Sequence, residues 1–152
     1  MRRRVRLLTD SVADIPQTLI RRYDIEVIPI TLTVGGKTYR EDQTFDREWF
    51  YHELSRRDGN LMTAAPPPQD FLRVYRSMAM EGAETVVGIF TASSVSGICN
   101  HAQVAASECR EAQIHVVDSH QISMGTGWLV MDAAERLEEG ESVACLLGRL
   151  QE

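Results

Sequence analysis

Apolar and polar positions along this chain follow two rhythms in turn, one of strands and one of helices. Val5-Arg6-Leu7-Leu8-Thr9 reads as a short strand that runs into Thr9-Asp10-Ser11. Asp14 suits an N-cap and Pro16 a first helical turn, so a helix is predicted over about 16–23 with Leu19 and Ile20 inward. Ile25 to Val34 alternates and is rich in Ile, Val and Thr, which predicts one strand; Pro29 inside it pushes that strand toward an edge or a bulge. Gly35-Gly36 is a hairpin turn, and Lys37-Thr38-Tyr39-Arg40 is the returning strand. Asp46 caps a helix carrying Trp49, Phe50 and Leu54 on one face, which Asp58-Gly59-Asn60 ends. Pro66-Pro67-Pro68 forbids a helix over 61–68 and predicts a stiff polyproline segment there. Phe71, Leu72, Tyr75 and Met78 mark a helix over about 68–81. Val86-Val87-Gly88-Ile89-Phe90 is a buried parallel strand, followed by Thr91-Ala92-Ser93-Ser94-Val95-Ser96-Gly97 and a helix over about 98–110. Gln113 to Val117 is the next strand and breaks at Asp118-Ser119. A helix over about 123–139 and a last one with Leu146, Leu147 and Leu150 inward complete the pattern.

Strands alternating with helices predict an α/β fold: a mostly parallel sheet with helices on both faces, plus a small β-hairpin excursion. The 152 residues predict a single α/β domain over 1–152 with room for a real core. A formal charge of −6 argues against a nucleic-acid partner. Arg2-Arg3-Arg4, with Arg6 just beyond, reads as a solvated terminal arm. No apolar run reaches the length of a membrane span, so the chain is expected not to be an integral membrane protein; no apolar segment follows the basic start as in a secretory signal. Cys99, Cys109 and Cys145 are odd in number and form no C-x-x-C. They read as core or half-buried thiols of a cytoplasmic protein.

Candidate chemistry lies where strands end. Thr9, Ser11, Ser93, Ser94 and Ser119 all sit at such ends, and Thr63 lies on the proline-stiffened loop. Neutral hydroxyls beside the free N–H groups of a helix start suit a carboxylate or phosphate. Each hydroxyl taken alone is explained as a helix cap; Ser93-Ser94 is not, since one cap does not need two adjacent serines flanked by Thr91 and Ser96. Asp10 and Asp118 each precede a serine. With no accompanying histidine or carboxylate pattern, bracing a loop suits them better than ligating a metal.

An enzymatic alternative is a small hydrolase or phosphotransferase with Ser93 or Ser119 as nucleophile. His120 follows Ser119, but adjacent residues rarely aim at each other and no G-x-S-x-G elbow is present. Gly125-x-Gly127 lacks the third glycine and the later acidic residue of a dinucleotide loop, so close helix–sheet packing explains it better. A DNA-associated regulator rests on the initial arginines alone.

Thr9-Asp10-Ser11-Val12-Ala13-Asp14-Ile15-Pro16 resembles the opening T-D-S-[TV]-A-D-[LI]-P of the DegV family. Ile28-Pro29-Ile30 is similar to its V-P-L strand, Thr63-Ala64-Ala65-Pro66 to its T-S-Q-P loop, and Ser93-Ser94-Val95-Ser96-Gly97 to its S-S-x-L-S-G turn. Val117-Asp118-Ser119 with Gly125-x-Gly127 is similar to its V-D-S/T and G-x-G segment. Ala64 and Ala65 stand where Ser-Gln is usual, and Ile98, Cys99 and His101 where Thr, Tyr and Ser are common.

The resemblance implies a lipid carrier, not an enzyme. Its ligand would be a long-chain fatty acid and its partner a fatty acid kinase; no other cofactor and no metal is implied. Carried over residue by residue, Thr63 and Ser93 hold the carboxylate, with Ser94, Thr9, Asp10, Ser11 and Ser119 near the same crevice. Members of the family are about twice as long, so the resemblance also implies that the second domain is absent from 1–152. The face left open would then weaken lipid binding or be covered by a homodimer.

Overall fold

The computed structural model describes residues 4–56 and 61–151. Arg2, Arg3 and the helix end expected at Asp58-Gly59-Asn60 lie outside them. In chain order the elements are β1 (Val5–Asp10), α1 (Gln17–Tyr23), β2 (Glu26–Ile28), β3 (Thr31–Val34), β4 (Lys37–Arg40), α2 (Arg47–Arg56), β5 (Leu61–Ala64), α3 (Pro68–Met80), β6 (Thr85–Phe90), α4 (Ile98–Glu108), β7 (Gln113–Asp118), α5 (Met124–Glu138) and α6 (Val143–Arg149). A parallel sheet runs in the order β2-β1-β6-β7, and an antiparallel sheet in the order β4-β3-β5.

Successive residues of a strand face opposite sides of the sheet, so each parallel strand feeds two cores. Leu8, Val86 and Phe90 join Phe71, Tyr75 and Met78 of α3 and Ile98, Ala102 and Ala105 of α4. Leu7, Val87, Ile89 and Val117 join Tyr23, Val130, Met131 and Ala134, with Leu146 of α6. Phe71 stands edge-on to Phe90, their ring centroids 5.5 Å apart. Each such side chain withdraws enough apolar surface to contribute about 1.5–3 kcal/mol. The two cores clamp the sheet from both faces, which fixes where its carboxyl ends emerge.

The single strand expected over 25–34 is two strands. β2 pairs with β1 in the parallel sheet, and β3 pairs with β4 and β5 in the other. Pro29 lies at the switch, where its missing N–H would break a continuing ladder. Gly35 and Gly36 take φ of 56° and 79° at the hairpin, as a tight two-residue turn requires. The segment expected to be polyproline begins instead with β5, paired antiparallel to β3. Its stiffness is confined to the prolines that follow.

Asp14 does not cap α1. It ends a short 3-10 turn, Ser11–Ala13, with φ of 54°, while Asp10 caps that turn and Pro16 stands at the start of α1. Arg6 is not part of a solvated arm. Its side chain is 4% exposed and faces Asp24 at 3.1 Å, Glu81 at 2.9 Å and Glu26 at 3.7 Å. Cys99 and Cys109 are buried as expected, but Cys145 is exposed. Asp46 does cap α2, accepting the Trp49 N–H at 2.9 Å. Among the described residues no helix is long and apolar enough to cross a membrane.

Candidate functional site

From β1 the chain steps one way to β2 and, later, from β6 the other way to β7. That reversal leaves a crevice at the carboxyl ends of β1 and β6, the position where open α/β sheets take ligands. Thr91 to Gly97 forms the rim of this crevice and leads into α4.

Two carboxylates hold that rim from beneath. Asp10 is buried and accepts the Thr91 N–H at 2.8 Å, the Thr91 hydroxyl at 3.0 Å and the Val12 N–H at 2.9 Å. Burial pushes the Asp10 carboxyl up, and the hydrogen bonds from Thr91 and Val12 offset this only in part. Asp118, at the end of β7, accepts the Ser93 N–H at 3.1 Å and the His120 N–H at 2.9 Å. Burial tends to raise its carboxyl too. Here the hydrogen bonds from the Ser93 side chain, the His120 N–H and the Ser93 N–H, with the nearby His120, outweigh burial and hold the group below the usual carboxylate range. The bracing role expected of both aspartates is therefore visible bond by bond. Under the rim, Cys99 donates to the Thr91 carbonyl at 3.5 Å, and burial pushes its thiol up to about 12.

The hydroxyls divide into two groups. Thr9 is fully buried and donates to the Ile89 carbonyl at 2.8 Å. Ser11 donates to Glu41 at 2.8 Å and accepts the buried Ile30 N–H at 3.0 Å. Ser119 lies 2.9 Å from the Thr126 hydroxyl and accepts the Gln121 N–H at 3.1 Å. These three tie loops together. Ser93, Ser94 and Thr63 are exposed. Thr63 lies on β5 opposite Leu32, three residues before Pro66, whose carbonyl faces His101 of α4. β5 is thus fastened to the helix that the Ser93 turn opens, a link that the sequence pattern did not signal.

A cavity of about 650 Å³ lies beside this rim and includes Asp10, Ser11, Asp14, Glu41, Phe45 and Arg47. Neither Thr63 nor Ser93 lines it. Arg47 reaches Asp14 at 3.1 Å and Glu41 at 3.0 Å, and the Ser123 hydroxyl donates to Asp14 at 2.6 Å. The start of α2 is therefore anchored to the loops after β1 and β4, and the loop after β1 to the one after β7. Among the described residues no group of histidine, cysteine and carboxylate side chains could hold a metal.

Exposed neutral donors over a rigid floor, at a helix start, can hold an anion without a buried countercharge. Residues 4–152 match the family model described as "Uncharacterised protein, DegV family". A DegV domain-containing protein of Caldanaerobacter subterraneus is 33% identical over 140 residues, 91% of this chain and 49% of that one. A solved structure from Thermus thermophilus, described as fatty acid binding of a DegV family protein, superposes with a TM-score of 0.88 at 34% identity over 98% of this chain and 52% of that one. The structure of DegV from Bacillus subtilis, described as a fatty acid binding protein, gives a TM-score of 0.90 at 26% identity over 97% of this chain and 52% of that one. The chain spans about half the length of these relatives. With the family model matched from the first described residue to the end, this chain belongs to the DegV family.

Proposed function

We propose that this chain binds a long-chain fatty acid by its carboxylate and presents it to a fatty acid kinase. The observation that carries the reading is the exposed Ser93-Ser94 turn, pinned by Asp10 and Asp118 and opening α4. Thr63 donates its hydroxyl to the carboxylate, Ser93 turns its own from Asp118 to do the same, and the positive end of α4 favours the charge. Val95, two residues after Ser93 in the same turn, and Ile122, next to the Gln121 whose carbonyl accepts the Ala92 N–H, are exposed. They offer an apolar path for the first methylenes, each worth about 0.8 kcal/mol when buried. The tail beyond is covered by a further domain or by a second copy of the chain. The two solved relatives described as fatty-acid-binding support the same ligand class.

In this reading the chain is a carrier, and the bond-making belongs to the kinase. A neutral cradle suits that division, since it leaves carboxylate oxygens reachable and does not neutralise their nucleophilicity with a fixed cation. Thr9, Asp10, Ser11 and Ser119 serve the site by holding its loops, and Ser94 stands next to the head group. Organic extraction of the purified protein followed by mass spectrometry tests this. A stoichiometric fatty acid is expected, and it is expected to be lost in Thr63→Ala and Ser93→Ala. Both variants retaining the lipid in full would remove Thr63 and Ser93 from the site. No lipid in the wild type, even after loading with oleate, would overturn the carrier reading.

A further inference from the structure

We infer that His101 is a positioning residue that holds Thr63 in register with Ser93. The inference rests on the carboxylate site proposed above.

Pro66, Pro67 and Pro68 have no N–H, so between β5 and α3 only Ala65 can donate from the backbone. Such a loop can be tied down only through its carbonyls. That of Pro67 is taken by the Asp70 N–H at 2.9 Å, a bond within the start of α3. That of Pro66 is taken by His101 Nδ1, at 2.9 Å and 35 residues away in sequence. A carbonyl oxygen only accepts, so Nδ1 carries the proton. The ring's other edge lies against Gly97, with Nε2 3.8 Å from where a Cβ there would stand. His101 thus bonds the loop leaving Thr63 and stands on the helix opened by the turn that begins at Ser93, with its backbone N–H on the Gly97 carbonyl at 3.0 Å. The body of α3 is separately joined to α4, where the Tyr75 hydroxyl donates to the Ala102 carbonyl at 3.2 Å. That bond fixes the helices; in the loop, Ala65 packs against the core and Pro66 is buried, and His101 adds the hydrogen bond that ties Pro66 to α4.

Two hydroxyls share one carboxylate only if their spacing is kept to a fraction of an ångström, so loosening one segment costs affinity more than stability. The test uses competition of oleate against a fluorescent fatty-acid analogue, together with thermal melts. His101→Ala is expected to weaken oleate about five- to tenfold and to lower the melting temperature by only a few degrees, since the bond is also present in the ligand-free fold. His101→Asn, whose amide nitrogen occupies the place of Nδ1, is expected to restore most of the affinity; His101→Leu is not. Amide exchange over Thr63 to Ala65 is expected to quicken in His101→Ala while exchange in β6 stays as in the wild type. That readout needs no ligand, and unchanged exchange there would overturn the inference. So would unchanged oleate affinity in His101→Ala, or equal loss in the Asn and Leu variants. A wild type that binds no oleate would remove the carboxylate site itself, a result distinct from each of these.

Discussion

Asp10 shows how one side chain can set the geometry of a site it does not present to ligand. Its two oxygens accept three donors, from Thr91 twice and from Val12. An amide in its place turns a donor toward donors. Asp10→Asn is therefore expected to lose about 1–3 kcal/mol in urea unfolding and to loosen the Ser93 turn. Asp118 titrates with the opposite sign to Asp10. Its carboxyl lies below the ordinary range in the folded state, against burial, because of the Ser93 and His120 bonds. The stability it contributes is complete above the unfolded aspartate range and is lost as pH falls through the lowered folded value. The difference in melting temperature between wild type and Asp118→Asn is thus expected to be largest near neutral pH and to shrink as the pH falls below the ordinary aspartate range. A difference independent of pH would mean that the carboxylate charge contributes nothing.

Among the elements, α5 packs most tightly at Gly127. A Cβ there would stand 2.4 Å from the Ala13 carbonyl oxygen, a backbone atom of the 3-10 turn that cannot step aside cheaply. Gly127→Ala is expected to destabilise by about 1–3 kcal/mol despite the better helix propensity of alanine. Gly148 in α6 has nothing within 4 Å of its Cβ position, so Gly148→Ala is expected to stabilise by about 0.5–1 kcal/mol. Chemical unfolding of the pair checks both signs. Close helix–sheet packing was expected of Gly125-x-Gly127; Gly127 instead closes on the Ala13 carbonyl of the 3-10 turn, and Gly125 on the Gln121 side chain. Pro29 was legible as a disturbance of a strand. That the disturbance sends the chain into a second sheet was not, because a missing N–H says where a ladder stops and not what the chain pairs with next.

For the molecule as a whole, ligand that binds only the folded form must stabilise it. At about a hundredfold excess over its dissociation constant, oleate is expected to add roughly 2.7 kcal/mol, seen as a rise of several degrees in the melting temperature. The rise is expected to vanish in the Thr63→Ala/Ser93→Ala double variant; an equal rise there would place the ligand elsewhere on the fold.

Local pattern determined the elements whose partners do not matter to their identity. Val86 to Phe90 is apolar enough to be a central strand whatever flanks it. The DegV motifs were legible for the same reason, since each is contiguous. Tertiary structure decided what depends on residues distant in sequence. Leu61 to Ala64 has little strand character of its own and becomes β5 by pairing with β3. Asp14 looks like a cap for α1, yet Pro16 holds that position and Asp14 goes to Arg47 and Ser123. Arg6 looks like part of a basic arm until folding brings Asp24, Glu26 and Glu81 around it. The bond from His101 to Pro66 belongs to this second kind, because a sequence records which groups can donate and accept, and only the fold chooses the pairs.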